Sequence, residues 1–292
     1  VSPRLNPPAI GAIEERLHDL NLQRSGALPG DLLTFYHPDT LRELCALREH
    51  WIGKAAGPDP VDGWIRMTAT NRLTGHSPGF FSVYTLPPNQ AVTVKRQRLI
   101  NEKRGQTPEY RDVRKLILRK SKSLLKDVTD ADRLSGRRYG PGVNLGVGSA
   151  DRLDHMADES VALVVTSPPF LNVVQYATDN WLRCWFNGID SGQIPIWNFR
   201  SVADWQAAMA RVFTELRRVL KPGGHVAFEV GEVKNGKVKL EDHVIPAGIA
   251  AGLRPDLVLI NAQEFTKTAN CWGIDNLTKG TNTNRIVLLR KD

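Results

Sequence analysis

A run of five apolar residues, Val161-Ala162-Leu163-Val164-Val165, stops abruptly at Thr166-Ser167-Pro168-Pro169-Phe170. The apolar run reads as a buried strand. Its exit constrains everything that follows. Each proline fixes φ and lacks an N–H, and the residue before each proline is pushed into an extended conformation. The carbonyls at this exit are therefore rigid and have no ladder partners. Ser167 adds a hydroxyl beside them and Phe170 a flat apolar plate. Such a row of acceptors next to a ring suits a planar group that carries an amine.

The residues around this stretch alternate between strand and helix patterns. "VNLGVG", from Val143 to Gly148, is expected as a short strand running into glycine. Trp205, Ala208, Met209, Val212, Phe213, Leu216, Val219 and Leu220 recur at helical spacing and mark an amphipathic helix. Ser201 and Asp204 form a capping pair at its start, and Lys221-Pro222-Gly223-Gly224 stops it. "HVAFEV" is a strand, "VIPAGIAAGL" a helix, "DLVLINAQEF" a strand and "NRIVLLRK" a last strand. This alternation implies an open α/β sheet with its chemistry at the carboxyl ends of the strands. The chain divides near residue 140, where "GRRYGPG" reads as a linker or turn. Residues 1–140 are expected to be mostly helical and basic, with helices around Leu17, Leu20 and Leu22 and around Leu41, Leu44, Cys45 and Leu47. Residues 141–292 carry the α/β core.

Charge points to a polyanion. The 292 residues have a net charge of +8, and the stretch from Lys95 to Lys126 alone holds twelve Lys or Arg against three acids. Inside it, Val113, Leu116, Ile117, Leu124 and Leu125 follow helical spacing, so a basic helix with one buried face is expected. Such a surface binds phosphates in a salt-sensitive, largely sequence-blind way. Arg96, Lys103, Arg104, Arg114 and Lys115 are the candidate nucleic-acid contacts. A solvated helix face is the plainer alternative. Three scattered cysteines, Cys45, Cys184 and Cys271, argue against a disulfide framework or a zinc cluster, and no metal site is expected. No stretch is long and apolar enough to span a membrane, and the N-terminal residues lack the apolar core of a secretion signal. A cytoplasmic protein of bacterial or archaeal type is the expectation.

At Ser167-Pro168-Pro169-Phe170 the chain resembles the amino-directed DNA methyltransferases, which use S-adenosylmethionine. Their signature is Asp, Asn or Ser, then Pro-Pro, then an aromatic. The resemblance extends through "GSADRLDHMADESVALVVTSPPF", "LRRVLKPGGHVAFEVGEV" and "NTNRIVLLRKD", covering residues 143 to 292. It implies a Rossmann-like sheet with a final antiparallel strand. It also implies methyl transfer to the exocyclic amine of a base flipped out of the duplex. The serine form is more typical of N4-cytosine enzymes, with N6-adenine the runner-up. Ser167, Pro168, Pro169 and Phe170 become the catalytic group, and Tyr176 is a candidate for flanking the base pocket or, equally, a core residue of the next helix. An RNA methyltransferase or a catalytically silent nucleic-acid-binding module are the rival readings, with RNA the less favoured partner.

The cofactor pattern departs from this family. Its glycine-rich turn, of the type Phe-x-Gly-x-Gly, is nowhere in the sequence. Gly146 and Gly148 stand too close to Ser167 to be that turn, because a βαβ unit takes ~30 residues. The resemblance instead puts Ser149, Ala150 and Asp151 near the cofactor's adenine. An upstream segment or a second chain that supplies the turn is therefore a candidate partner; a non-ATG start or an atypical cofactor loop are the alternatives. Finally, the polar run from Thr266 to Asn284 is long for a connection between two strands. Lys267 and Lys279 are expected near phosphates there, and Trp272 beside the space left by the extruded base.

Overall fold

The computed structural model describes residues 7–23, 26–53, 59–85, 92–168, 176–233, 238–262 and 283–292. They form two compact units, Val1–Leu145 with Tyr176–Pro195, and Gly146–Gln175 with Ile196–Asp292.

The first unit is helical: α1 (Ile10–Asp19), α2 (Pro38–Ile52), α3 (Pro60–Thr70), α4 (Val94–Arg104), α5 (Val113–Leu125), α6 (Asp130–Tyr139) and α7 (Tyr176–Asn187). Helices α2 and α3 begin with proline at their first turn, where the missing N–H costs nothing. Helix α4 starts on Thr93, whose hydroxyl accepts from the Arg96 N–H, and ends at Gly105 with φ of 57°. The core gathers Ile13, Leu17, Leu44, Leu47, Ile65 and Ile117 with the aromatics Phe35, Tyr36, Trp51 and Phe186. The expected turn at "GRRYGPG" begins one element earlier: Gly136 to Tyr139 complete α6, because Thr129 and Asp132 build a capping box that launches a helix there.

The second unit is α/β: β1 (Val161–Thr166), α8 (Val202–Val219), β2 (Leu220–Val230), β3 (Glu232–Val233), β4 (Val238–Lys239), α9 (Glu241–Ala250), β5 (Arg254–Ala262) and β6 (Thr283–Arg290). The main sheet has the order β1-β2-β6-β5. Strand β1 runs parallel to β2, while β6 is antiparallel to both β2 and β5. Three strands thus point one way and β6 alone is reversed, as in a Rossmann-like sheet with an antiparallel final strand. Helices α8 and α9 bury Trp205, Met209, Phe213, Leu216 and Val244 against Val226, Phe228, Val287 and Leu289. Phe213 meets Phe228 edge-on at 4.8 Å.

One expectation is corrected here and another is refined. "VNLGVG" forms no strand: residues 143–148 lack ladder partners, and Val143, Leu145 and Val147 are exposed. Lys221-Pro222-Gly223-Gly224 does follow the end of the helix, since α8 closes at Val219. Strand β2 begins at Leu220, directly after α8, and these residues bulge out of it, so that β2 advances from Leu220 to His225 while β1 advances from Val161 to Leu163. Gly223 takes φ of 76°. Gly224 has no room for a side chain, since a Cβ would lie 2.8 Å from the Lys221 carbonyl and 3.1 Å from that of Ala162.

Candidate functional site

Strand β1 is aimed by the turn that precedes it. The Arg218 guanidinium, at the end of α8, donates to the carbonyls of Leu153 (3.1 Å) and Met156 (3.0 Å) and to the carboxylates of Asp158 and Glu215. Glu215 in turn accepts from the Leu153 N–H at 2.7 Å. These bonds hold the Glu215 carboxyl below its ordinary value, the Arg218 bond being the main cause. The N–H groups of Glu159 and Ser160 then bond the carbonyls of Arg218 and Val219. Lys291 ties Glu159 to the Leu220 carbonyl with its ammonium. Most of these bonds join the turn before β1 to the end of α8, and Lys291 adds a tie to the start of β2.

That exit is Thr166-Ser167-Pro168, at the carboxyl end of the parallel pair. Thr166 stands beside Phe228. Ser167 is exposed and Pro168 half-buried. Pro169 and Phe170 lie outside the described residues, as do Lys267, Trp272 and Lys279.

Ser149, Ala150 and Asp151 form a turn rather than the end of a strand. The Asp151 carboxylate accepts from the Ser149 hydroxyl at 2.6 Å and from Arg211 at 3.3 Å. The Ser149 bond is the main cause that lowers its affinity for a proton. Arg211 also lies over the Trp197 ring at 5.7 Å. A Cβ on Gly146 would strike the His155 ring at 2.7 Å, whereas nothing lies within 4 Å of one on Gly148. These residues can offer a carboxylate to an amine.

Tyr176 opens α7 in the helical unit, where its carbonyl accepts from the Asn180 amide. Downstream, Leu182 and Phe186 are buried, Trp181 donates to the Val92 carbonyl, and Phe186 meets Trp51 edge-on. Trp181 and Trp185 serve packing.

The basic residues sort by what their charges touch. Helix α5 buries Val113, Leu116, Ile117 and Ser121. On its outer side Lys115, Arg119, Lys122 and Lys126 are exposed at intervals of four, three and four residues, a continuous stripe. Arg119 reaches the Pro78 carbonyl with one nitrogen only. Arg96 and Lys103 are exposed on α4, and Arg104 lies over the Tyr84 ring at 3.7 Å. Arg114 is spent differently: it caps the end of α1 by donating to the Leu17 and Leu20 carbonyls. Arg111 donates to the carbonyls of Ser77, Phe80 and Ser82. The charge run signalled Arg119, Lys122 and Lys126 as clearly as their neighbours. Only the burial of one helix face separates the outward cations from the structural ones. Among the described residues no group of His, Cys, Asp and Glu could hold a metal, and no helix is long and apolar enough to cross a membrane.

No family model and no curated protein matches the chain. Solved structures do resemble it in part. One is a protein of Thermus thermophilus, provisionally assigned as a DNA modification methylase and complexed with S-adenosyl-L-methionine. It is 24% identical, with 50% of this chain and 54% of that one covered and a TM-score of 0.32. Others are S-adenosylmethionine-dependent methyltransferases of Methanosarcina mazei (12% identity, 56% and 79% covered, TM-score 0.26) and Mesorhizobium loti (16%, 56% and 78%, 0.28). The chain spans about half the length of the Thermus structure.

Proposed function

We propose that this chain carries the amine-binding and DNA-binding parts of a DNA methyltransferase that uses S-adenosylmethionine, with N4 of cytosine as the acceptor. The observation that carries the reading is an exposed Ser167 followed by a half-buried Pro168 at the carboxyl end of a parallel strand, in a Rossmann-like sheet with one reversed strand. The amine of a flipped cytosine is a weak nucleophile because its lone pair is delocalised into the ring. The Ser167 hydroxyl and the Pro168 carbonyl accept its two N–H bonds and turn the nitrogen toward a tetrahedral shape, which frees the lone pair. Positioning and preorganised polar groups supply the catalysis. Phe170 stacks on the base, and no covalent adduct with a cysteine is required. Exposed cations on α4 and α5 hold the phosphates.

Nucleoside mass spectrometry of DNA from the source cells tests this. N4-methylcytosine should be present, and should fall by on the order of 10²-fold when Ser167→Ala is placed at the chromosomal locus. N6-methyladenine responding instead would reassign the base. No methylated base responding at all would remove the enzymatic reading.

A further inference from the structure

The segment from Arg72 to Thr85, in the helical unit, is a surface loop whose tip is held rigid although it buries little. Its limbs close where Gly75 pairs with Tyr84 and the Thr85 N–H donates to the Gly75 carbonyl at 3.2 Å. Phe80, Phe81 and Val83 are buried. His76 and Pro78 are exposed, and Ser77 and Gly79 are half-buried. These last four residues form the tip, a β-turn in which the Phe80 N–H donates to the Ser77 carbonyl at 3.1 Å. Pro78 takes the position whose φ proline presets. Three arginines hold the turn. Arg111 donates to the carbonyls of Ser77 (3.2 Å), Phe80 (2.7 Å) and Ser82 (2.6 Å). Arg72 lies over the Phe80 ring at 4.1 Å. Arg119 donates to the Pro78 carbonyl at 3.3 Å. Compact surface loops that close at their ends and are packed by their own side chains are frequently functional.

Through Arg119 the tip adjoins the exposed cations of α5. Arg119 uses one nitrogen on Pro78, and its other N–H groups remain for a phosphate. A phosphate held there lies one guanidinium away from the tip, which therefore meets the groove beside that phosphate. His76 and Ser77 are the polar side chains it brings. The His76 ring leans on Phe80, with centroids 6.2 Å apart, and its nitrogens have no hydrogen-bond partner among the described residues. The Ser77 hydroxyl accepts from the Gly79 N–H at 3.4 Å, and its own proton has no acceptor among the described residues. Phosphate contacts fix register but carry no sequence information; base edges are read by groups held at fixed positions. Short polar side chains on a rigid turn discriminate well, because a mismatched donor or acceptor is left desolvated and unpaired. We infer that the His76–Gly79 tip is the base-reading element of the helical unit, set into the major groove while α5 holds the adjoining phosphates. Limbs that meet at Gly75 and Tyr84 give the loop the width of a two-stranded ribbon, which that groove, ~12 Å wide, admits. The inference rests on the DNA-binding function proposed above and adds which residues choose the site.

Selection by the full chain from a random duplex DNA library, with the bound fraction sequenced, tests it. The wild type should enrich one sequence. The double variant His76→Ala with Ser77→Ala should lower the preference for that sequence over random duplex by about tenfold or more, the scale of a lost base contact. Its melting midpoint and the salt dependence of its binding should match the wild type, because no phosphate contact and no fully buried side chain is removed. His76→Gln keeps a donor and an acceptor at a different reach, and should change the preferred base at one position. Preference unchanged in both variants would overturn the inference and leave DNA binding through α5 intact, and so would a wild type that binds DNA but enriches no sequence. A flatter salt dependence with unchanged preference would overturn it too, making the tip a phosphate contact. Preference lost together with a lowered melting midpoint, and no new base chosen by His76→Gln, would reduce the tip to a structural support. A wild type that binds no DNA even at low salt would remove the proposed function itself, and the inference with it.

Discussion

Arginines of similar sequence context do different work here, and substitution separates them. Arg114 caps α1 through two carbonyls, so Arg114→Ala is expected to lower thermal stability while leaving the salt dependence of DNA binding unchanged. Arg218 ties β1's entry to α8, and its partner Glu215 supplies a pH signature. Glu215 has its folded pKa below the ordinary 4.5. A depressed carboxylate contributes stability that is fully present above the unfolded value and is lost as pH falls through the folded one. Melting curves of wild type and Glu215→Gln should therefore differ at neutral pH, and begin to converge only once the pH drops below 4.5. A difference that persists in strong acid would mean that Glu215 acts through packing. Gly224→Ala places a methyl against two backbone carbonyls and should cost about 1–3 kcal/mol by the overpacking rule, read as a lowered denaturation midpoint.

At the scale of elements, α5 offers its stripe as a unit. Replacing Lys115, Arg119, Lys122 and Lys126 together by Ala should flatten the logarithmic salt dependence of DNA binding by up to ~3.6, about 0.9 for each phosphate no longer neutralised. An unchanged slope would make the stripe a solvated face. This helix was legible from its apolar spacing, which names the buried Val113, Leu116 and Ile117, although Leu124 is exposed; α8 was legible throughout, its buried residues Trp205 to Val219 being those the periodicity names. Strands β1, β5 and β6 were equally legible as apolar runs between turn formers. What the spacing concealed was pairing. "VNLGVG" has a strand's composition, but a strand exists only where a neighbour accepts its hydrogen bonds, and residues 143–148 have none. Tyr176 read equally as a pocket residue or a core residue of the next helix; it opens α7, which belongs with α2 and α3 through Leu182 and Phe186. The end of the apolar run was the most legible boundary, and β1 does stop at Thr166, just before Ser167-Pro168. The tie through Arg218 was not legible, since its partners are chosen by tertiary approach.

At the scale of the whole molecule, the described residues gather one core around Leu44, Ile65 and Ile117 and another around Phe213, Val226 and Val287. Leu44→Ala and Phe213→Ala, each costing about 2–5 kcal/mol by the large-to-small rule, are expected to lower two different calorimetric transitions. A single transition shifted by both would mean that the cores unfold together. The position of β6 adds a constraint of a different kind, on the order of assembly. It lies between β2 and β5, and it is the strand through which β5 joins the rest of the sheet. During synthesis a slot one strand wide must stay vacant while α9 and β5 emerge, and it closes only when Thr283 to Arg290 arrive. Until then β2 and β5 each present an unpaired ladder to the cell. Ribosome-bound chains arrested before Thr283 should accordingly be cut by protease within residues 220–262 and be favoured clients of chaperones, while the helical unit is already resistant.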